Sequence, residues 1–153
     1  MIVYVDGDAC PVKDEVYRIA LKNDLKVYVA CHSSVRGPAK GRVEVVRVKA
    51  GLNAADDWIA ERAGEGDVVV TSDIPLADRC LKRGARVVAP DGRVFTEDSI
   101  GQAMAGRELA EHLRQMGVET GGPAPFGPSD RRRFVAALAE IVSGTVSRTR
   151  NGA

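Results

Sequence analysis

A chain of 153 residues is long enough to form one domain with a substantial hydrophobic core. Its 44% hydrophobic and 28% charged residues are typical of a soluble globular protein, and a net charge of +1 gives no general reason to expect a nucleic-acid or membrane partner. Because no stretch approaches the roughly 20 apolar residues that span a bilayer, and the first residues lack the pattern of a secretory signal, we expect a cytoplasmic protein.

Short apolar runs alternate with helical patterns along the first ninety residues. The first run, residues 2–5, is rich in β-branched side chains and is typical of a buried strand. Four similar runs follow at residues 25–31, 43–48, 67–71 and 85–89. This alternation predicts βαβ units and therefore an α/β fold with a mostly parallel five-stranded sheet that is covered on both faces.

The pattern changes after residue 90. Val94 and Phe95 can form a short extra strand, and two helices follow, separated at Gly106 and ending near residue 116. A linker-like segment at residues 121–128 leads to a last helix, capped by Ser129, whose apolar stripe predicts packing on the domain. We expect a single domain over residues 1–143, with a helical extension from about residue 96, and a flexible basic tail at residues 144–153.

Aspartates follow three of the predicted strands, where parallel strands share a carboxyl edge. Oxygen ligands from separate strand ends suit Mg²⁺ or Mn²⁺, which activate water in phosphodiester hydrolysis. We select Asp56 over its neighbour because Asp57 points away from the apolar face of its helix. The candidate metal ligands are Asp6, Asp8, Asp56, Asp73 and Asp78, and the first four are also the candidate catalytic residues.

Each aspartate also has a purely structural interpretation. Asp6 can be a solvated turn residue, and Asp8 and Asp73 can cap the helices that follow them. Asp56 falls at the third position after Asn53, where an acidic residue favours the start of a helix. The last candidate, at position 78, can pair with the lysine four residues later.

Cysteine and histidine give weaker indications of function. Cys10, Cys31 and Cys80 lack metal-binding spacing, so we interpret them as reduced and buried. Cys10 lies beside carboxylates that raise its pKa, which favours packing over a nucleophilic role. We interpret His32, which follows the second strand, and His112 as ordinary polar residues.

Basic residues are unevenly distributed, although the net charge is small. Such clusters can contact the phosphate backbone of RNA, or they can be ordinary solvated surface. No aromatic residues are interleaved with them to stack bases. The candidate RNA contacts are Arg36, Lys40, Arg42, Arg47 and Lys49, together with Arg131, Arg132 and Arg133.

Four segments together resemble the YaiI/YqxD family of bacterial proteins, and the likeness extends over nearly the whole chain. The segments are VDGDACP at 5–11, AAD at 54–56, TSDIPLA at 71–77 and TGGP at 120–123. That family has no assigned activity and is grouped with PIN-like domains, many of which are Mg²⁺- or Mn²⁺-dependent ribonucleases. The resemblance implies a three-layer PIN-like domain, a strand order of 3-2-1-4-5 and an acidic metal site. Relatives often carry Asp where this chain has Asn53, a difference that would weaken such a site.

Three functions are compatible with these observations. The first is a metal-dependent nuclease acting on RNA. The second is a non-catalytic RNA- or protein-binding domain of the same fold. The third is a haloacid-dehalogenase-type phosphatase with Asp6 as nucleophile and Asp8 as acid. A helix that starts directly at Pro11, and Lys49 as the sole candidate for a strand-end lysine, argue against the phosphatase.

Overall fold

A computed structural model describes residues 1–33, 35–38, 40–49, 51, 53–118 and 125–151, with only the backbone described at residues 9 and 145–151. The strands are β1 (Ile2–Asp6), β2 (Lys26–Cys31), β3 (Arg42–Arg47), β4 (Val68–Val70), β5 (Arg86–Val88) and β6 (Val94–Phe95). The helices are α1 (Lys13–Lys22), α2 (Ala54–Arg62), α3 (Ile74–Lys82), α4 (Glu97–Gln115) and α5 (Pro128–Asn151). The chain therefore has the expected α/β composition.

The sheet has the order β3-β2-β1-β4-β5-β6. Its first five strands are parallel, which confirms the expected order 3-2-1-4-5. The short strand β6 pairs with β5 in the antiparallel direction, with Phe95 opposite Val87. Strand β1 lies at the centre, so that Val5 is flanked by Val29 of β2 and Val70 of β4.

Two hydrophobic cores lie on opposite faces of the sheet, because side chains alternate along each strand. On one face Val3 and Val5 pack with residues of α1 and α5 such as Val16 and Phe134. On the other face Tyr4 packs with residues of α2, α3 and α4. The result is a three-layer arrangement with helices on both sides of the sheet, as expected for buried parallel strands.

Helix α5 is joined to the start of α1 by both apolar and polar contacts. Phe134 is fully buried in the first core, as the apolar stripe predicted. Arg131 donates hydrogen bonds to Glu15 Oε1 at 2.5 Å and to the carbonyl of Pro11 at 3.2 Å. The side chain of Glu15 is only 7% exposed, and its Oε2 atom has no hydrogen-bond partner in the described part of the chain.

Three local expectations differ from the structure. Gly106 does not end a helix, because α4 is continuous through it and a single glycine costs a helix only about 1 kcal/mol. The first helix begins at Lys13 rather than at Pro11, because Gly7–Ala9 form a single 3₁₀ turn. The backbone of α5 is helical to Asn151, so the flexibility of residues 144–153 stays a prediction.

Residues 119–124 lie outside the described residues, and with them most of the linker-like segment and the TGGP motif at 120–123. Among the described helices, none has both the length and the apolar character needed to cross a bilayer.

Gly92 is a site where an added methyl group tests the packing of α5 on the sheet. Its φ of +93° favours glycine, and a Cβ there would lie 2.7 Å from the backbone carbonyl carbon of Arg133. We expect Gly92→Ala to lower the free energy of unfolding by at least about 1–2 kcal/mol in urea denaturation, the cost of a left-handed alanine. Gly66 is the matched control, since its φ is +87° and nothing lies within 4 Å of an added Cβ, so that alanine there carries only the left-handed cost. Equal effects of the two substitutions would contradict this packing.

Candidate functional site

Asp6 and Asp73 are joined through Thr71 at the carboxyl ends of β1 and β4. The hydroxyl of Thr71 donates to Asp6 Oδ2 at 3.2 Å and accepts from the backbone N–H of Asp73 at 3.0 Å. Thr71 is 2% exposed, so this short hydrogen-bonded chain is held between the strand ends. Asp6 is thereby oriented by the neighbouring strand, as the shared sheet edge predicted.

Asp73 caps α3 and also contributes to the acidic site. Its Oδ1 accepts a hydrogen bond from the backbone N–H of Leu76 at 2.9 Å, which confirms the capping interpretation. The same carboxylate raises the pKa of both Asp6 and Asp56 by repulsion between like charges. Capping and participation in the cluster are therefore compatible roles for Asp73.

Asp56, in the first turn of α2, completes a group of three carboxylates that we call the acidic cluster: Asp6, Asp56 and Asp73. Burial raises the pKa of Asp56 to about 6, and the charges of the other two members add to this effect. Burial likewise raises the pKa of Asp6, although the hydrogen bond from Thr71 opposes the shift. None of the three makes an ion pair with a described residue. The cluster therefore carries negative charge that no protein cation neutralises directly.

Asp8 lies near the acidic cluster but is fully engaged with the end of β2. It accepts hydrogen bonds from the backbone N–H groups of His32 and Ser33 and from the Ser33 hydroxyl at 2.7 Å. Burial acts to raise its pKa, but these donors outweigh burial and hold the pKa below its usual value. Asp8 does not cap α1, whose N-cap is Val12. It fastens the loop after β1 to the loop after β2.

Gly7 allows this close approach between the two loops. A Cβ at that position would lie 2.6 Å from Val29 Cγ1 and 3.2 Å from the carbonyl oxygen of Ala30. Only glycine lets the backbone between Asp6 and Asp8 lie directly on β2. The Asp-Gly-Asp sequence therefore directs one carboxylate toward β4 and the other toward β2.

The remaining acidic candidates have cationic partners. Asp78 accepts a hydrogen bond from Lys82 at 2.9 Å, and Asp57 accepts one from Arg79 at 2.7 Å. The pair of Asp78 with Lys82 is the structural alternative given for Asp78, whereas the pairing of Asp57 with Arg79 was not expected. Asn53 does not cap α2 through its side chain; it adopts a left-handed φ of 63°, which asparagine tolerates better than most residues.

The acidic cluster has the donor chemistry of a divalent-cation site. In the described ranges, no three His, Cys, Asp or Glu side chains come together in a way that could hold a metal ion. The three carboxylates are nevertheless hard oxygen donors that repel one another, and Mg²⁺ commonly retains several waters between itself and its carboxylate ligands. The residues present therefore suit a hydrated Mg²⁺ or Mn²⁺ rather than a tightly enclosed ion.

All three members of the acidic cluster lie in the part of the chain that matches a known protein family. The family model described as "Uncharacterized BCR, YaiI/YqxD family" matches residues 4–144. The chain belongs to the YaiI/YqxD family. A "UPF0178 protein" of Caulobacter vibrioides (strain NA1000 / CB15N) is 55% identical over 140 residues, covering 92% of each chain. No solved structure matches the chain.

Two further relatives show the same extent of similarity. A "UPF0178 protein" of Rhodopseudomonas palustris (strain BisB18) is 54% identical over 136 residues, covering 89% of this chain and 88% of the relative. A protein of Rhodospirillum centenum is 50% identical over 145 residues, covering 92% and 94%. None of these descriptions states an activity, so function has to be argued from the site.

The cysteines of this YaiI/YqxD protein are structural. All three are free and buried, as expected. Burial raises the pKa of the Cys10 thiol to about 11, and nearby carboxylates add to the shift. Cys10 is therefore a thiol at neutral pH and a poor nucleophile.

The basic residues near β3 are divided between its two ends. Arg42 begins the strand and donates to the carbonyl of Asp24, whereas Arg47 ends it and donates to the carbonyl of His32. Five steps of about 3.3 Å place them roughly 17 Å apart. Lys49 lies beyond Arg47, at the same edge as the acidic cluster, and is exposed. The sequence cluster is therefore not one continuous surface.

The other basic candidates also differ in their surroundings. Arg131 pairs with Glu15 of α1 and so helps to hold α5 in place, whereas Arg133 pairs with Asp130 within α5 itself. Arg36 and Lys40, in the loop before β3, and Arg132 are exposed.

An aromatic cluster on the α2 face was not predicted from the sequence. The rings of Tyr4, Tyr28 and Trp58 have centroids 5.5–6.1 Å apart. Lys26 lies over the Tyr28 ring and Arg62 over the Trp58 ring. Tyr4 and Tyr28 are directly opposite in the β1–β2 register, a relation that a prediction of the register would have revealed.

Asp56 should destabilise the protein at neutral pH when no divalent cation is present. Its pKa is about 6 in the folded state, above the unfolded value of about 3.9, so the folded state binds more protons in this range and stability falls as pH rises through it. We expect Asp56→Asn to raise the melting temperature by about 2–4 °C near pH 7.5, with little effect near pH 4. Asp57→Asn, which loses the ion pair with Arg79, is the matched control; a larger rise in that variant would contradict this interpretation.

Ionised Asp8 should stabilise the folded protein, in contrast to Asp56, although both residues lie at the same edge of the sheet. The pKa of Asp8 is lowered in the folded state. Its contribution to the free energy of unfolding is therefore present above the unfolded pKa of about 3.9, and it is lost as the pH falls through the folded pKa. We expect Asp8→Ala to reduce the free energy of unfolding at neutral pH by about 1 kcal/mol, a value discounted for solvent exposure. Asp8→Asn, which keeps one acceptor oxygen, should lose less. Urea denaturation measures both, and an unchanged midpoint for Asp8→Ala would be the contrary result.

Proposed function

We propose that this protein is a phosphodiester hydrolase that depends on Mg²⁺ or Mn²⁺ and acts on RNA. The observation that supports the proposal is the convergence of Asp6, Asp56 and Asp73 at the carboxyl ends of parallel strands, without a protein ion pair on any of them in the described chain. Ligands bind at this edge in open α/β sheets. The resemblance to PIN-like domains points to the same class of chemistry.

In this proposal the acidic cluster holds the cation and the remaining groups fix its geometry. A bound divalent cation would lower the pKa of a water and stabilise the leaving oxygen of a phosphodiester. Thr71 orients Asp6 by donating to one of its oxygens, which leaves the other oxygen available. Asp73 uses one oxygen to cap α3 and keeps the second for the site.

Asp8 and Asp78 have different places in the proposal. The carboxylate of Asp8 holds the His32–Ser33 backbone, so we assign it a positioning role. Asp78 already has Lys82 as a cationic partner, and we leave it outside the ligand set.

We further propose that RNA is held by exposed basic residues and that the protein works in the cytoplasm. The supporting observations are the exposed cations near β3 and three free, buried cysteines that need no oxidising compartment. The proposed contacts are Arg36, Lys40, Arg47, Lys49 and Arg132.

The test is hydrolysis of a labelled single-stranded RNA by the purified protein with Mn²⁺ and with EDTA. We expect cleavage only with the cation, and a loss of at least about 100-fold in Asp6→Asn. Asp57→Asn is the matched control, because it also removes one aspartate charge from the same edge but outside the cluster. Mn²⁺ calorimetry on the same proteins measures cation binding separately. Cleavage that persists unchanged in Asp6→Asn would contradict the proposal.

A non-catalytic RNA- or protein-binding domain is the second candidate. Two points favour it: no enclosed metal-binding group occurs among the described residues, and Asn53 stands where the family resemblance implies an acid. On this alternative, RNA binds equally well with and without Mn²⁺ and is recovered intact.

The phosphatase alternative has less structural support. Only a single 3₁₀ turn and three residues separate β1 from α1, and Lys49 is exposed beyond the end of β3. A stable beryllium fluoride adduct on Asp6 would favour it.

A further inference from the structure

A cleft with two basic lining residues lies at the carboxyl edge of the sheet, the edge that also carries the acidic cluster. It has a volume of about 410 Å³ and is lined by His32, Arg47, Val48 and Lys49. These residues come from the segments that follow β2 and end β3, so the cleft belongs to the ends of two neighbouring parallel strands. We call it the basic cleft.

The backbone around the basic cleft is fixed by hydrogen bonds. The N–H of Val48 donates to the carbonyl of Cys31 at 2.9 Å, and Nε of Arg47 donates to the carbonyl of His32 at 3.3 Å. Asp8 binds the N–H groups of His32 and Ser33 from the opposite side. The backbone at His32 and Val48 is therefore held in place without a ligand, which reduces the entropic cost of binding.

The charges in the basic cleft are available to a ligand. Arg47 and Lys49 are exposed, and neither forms an ion pair with a described residue. The nearest acid along the strand, Glu44, pairs with Lys26 instead. Arg47 uses only Nε for its bond to His32, so its two terminal nitrogens remain free among the described contacts. A guanidinium with both terminal nitrogens free can bind a phosphate through paired hydrogen bonds.

His32 connects the basic cleft to the acidic cluster. Its backbone N–H donates to Asp8, two residues after Asp6, and its carbonyl accepts a hydrogen bond from Nε of Arg47. His32 therefore lies between the end of β3, which lines the basic cleft, and the loop that carries Asp6. This arrangement suits a ligand that carries two or more phosphate groups in sequence.

We propose that the basic cleft binds a backbone phosphate of single-stranded RNA next to the phosphodiester that is hydrolysed. This inference rests on the proposed function, because that function places the hydrolysed phosphodiester at the acidic cluster. Binding of RNA in the basic cleft itself requires no hydrolysis. It makes an oligonucleotide the substrate, because an isolated phosphodiester would leave the basic cleft empty. Arg47 and Lys49 are its phosphate ligands, and His32 is the wall that sets its distance from the acidic cluster.

The experiment measures binding of a short fluorescein-labelled oligoadenylate in EDTA by fluorescence anisotropy at several salt concentrations. We expect Arg47→Ala and Lys49→Ala each to weaken binding by about tenfold. Each should also reduce the slope of log K against log salt by about 0.7, the value for one lost contact to a single strand. Arg42→Ala is the matched control: it removes the same charge from the same strand at the opposite edge of the sheet and should change neither quantity. Arg47→Lys should restore part of the affinity.

The outcomes separate this inference from the proposed function. Binding that depends on Arg47 without any hydrolysis in Mn²⁺ supports the basic cleft and contradicts the hydrolase. Hydrolysis with an unchanged KM in Arg47→Ala contradicts the basic cleft and leaves the hydrolase standing. Equal weakening by Arg42→Ala, no binding of RNA, or equally tight Arg47-dependent binding of a labelled oligoglutamate peptide would each overturn the proposal. Both lining residues are exposed, so the variants are expected to fold, which thermal melting checks.

Discussion

The burial of β1 between β2 and β4 is the constraint on which the rest of the structure depends. Val5 is fully buried, with Val29 on one side and Val70 on the other. Because parallel pairing aligns the carboxyl ends of the three strands, the residue after Val5 has to emerge at their common edge. Asp6 lies there, and Thr71 meets it from β4. The position of the acidic cluster is therefore a direct result of backbone pairing in the hydrophobic core.

The two carboxylates beside Gly7 have opposite electrostatic surroundings. Asp6 is surrounded by other acids and by apolar atoms, whereas Asp8 is surrounded by N–H and hydroxyl donors. The first arrangement costs stability when the group is ionised, and the second contributes to stability. Selection for stability alone would therefore keep Asp8 but not Asp6.

The sequence was most informative where local pattern and burial agree. Apolar β-branched runs predicted the first five strands, and the strand ends predicted that Asp6, Asp56 and Asp73 come together. Contacts between distant segments were not accessible in this way: Asp8 binds residues 24 and 25 positions later, after an intervening helix. Composition also does not record that Arg42 and Arg47 lie at opposite ends of one strand, so closeness in sequence did not mean one surface. The break expected at Gly106 is absent because the cost of one glycine is small within a 19-residue helix.

The attachment of α5 has a consequence for how the chain is made. Arg131 and Glu15 are 116 positions apart, and Phe134 completes a core that begins with Val3. As the ribosome extends the chain, only α1 covers this face of the sheet until α5 has emerged, although β1, β2 and β4 have already been synthesised. Newly made chains therefore present an apolar surface for most of their elongation.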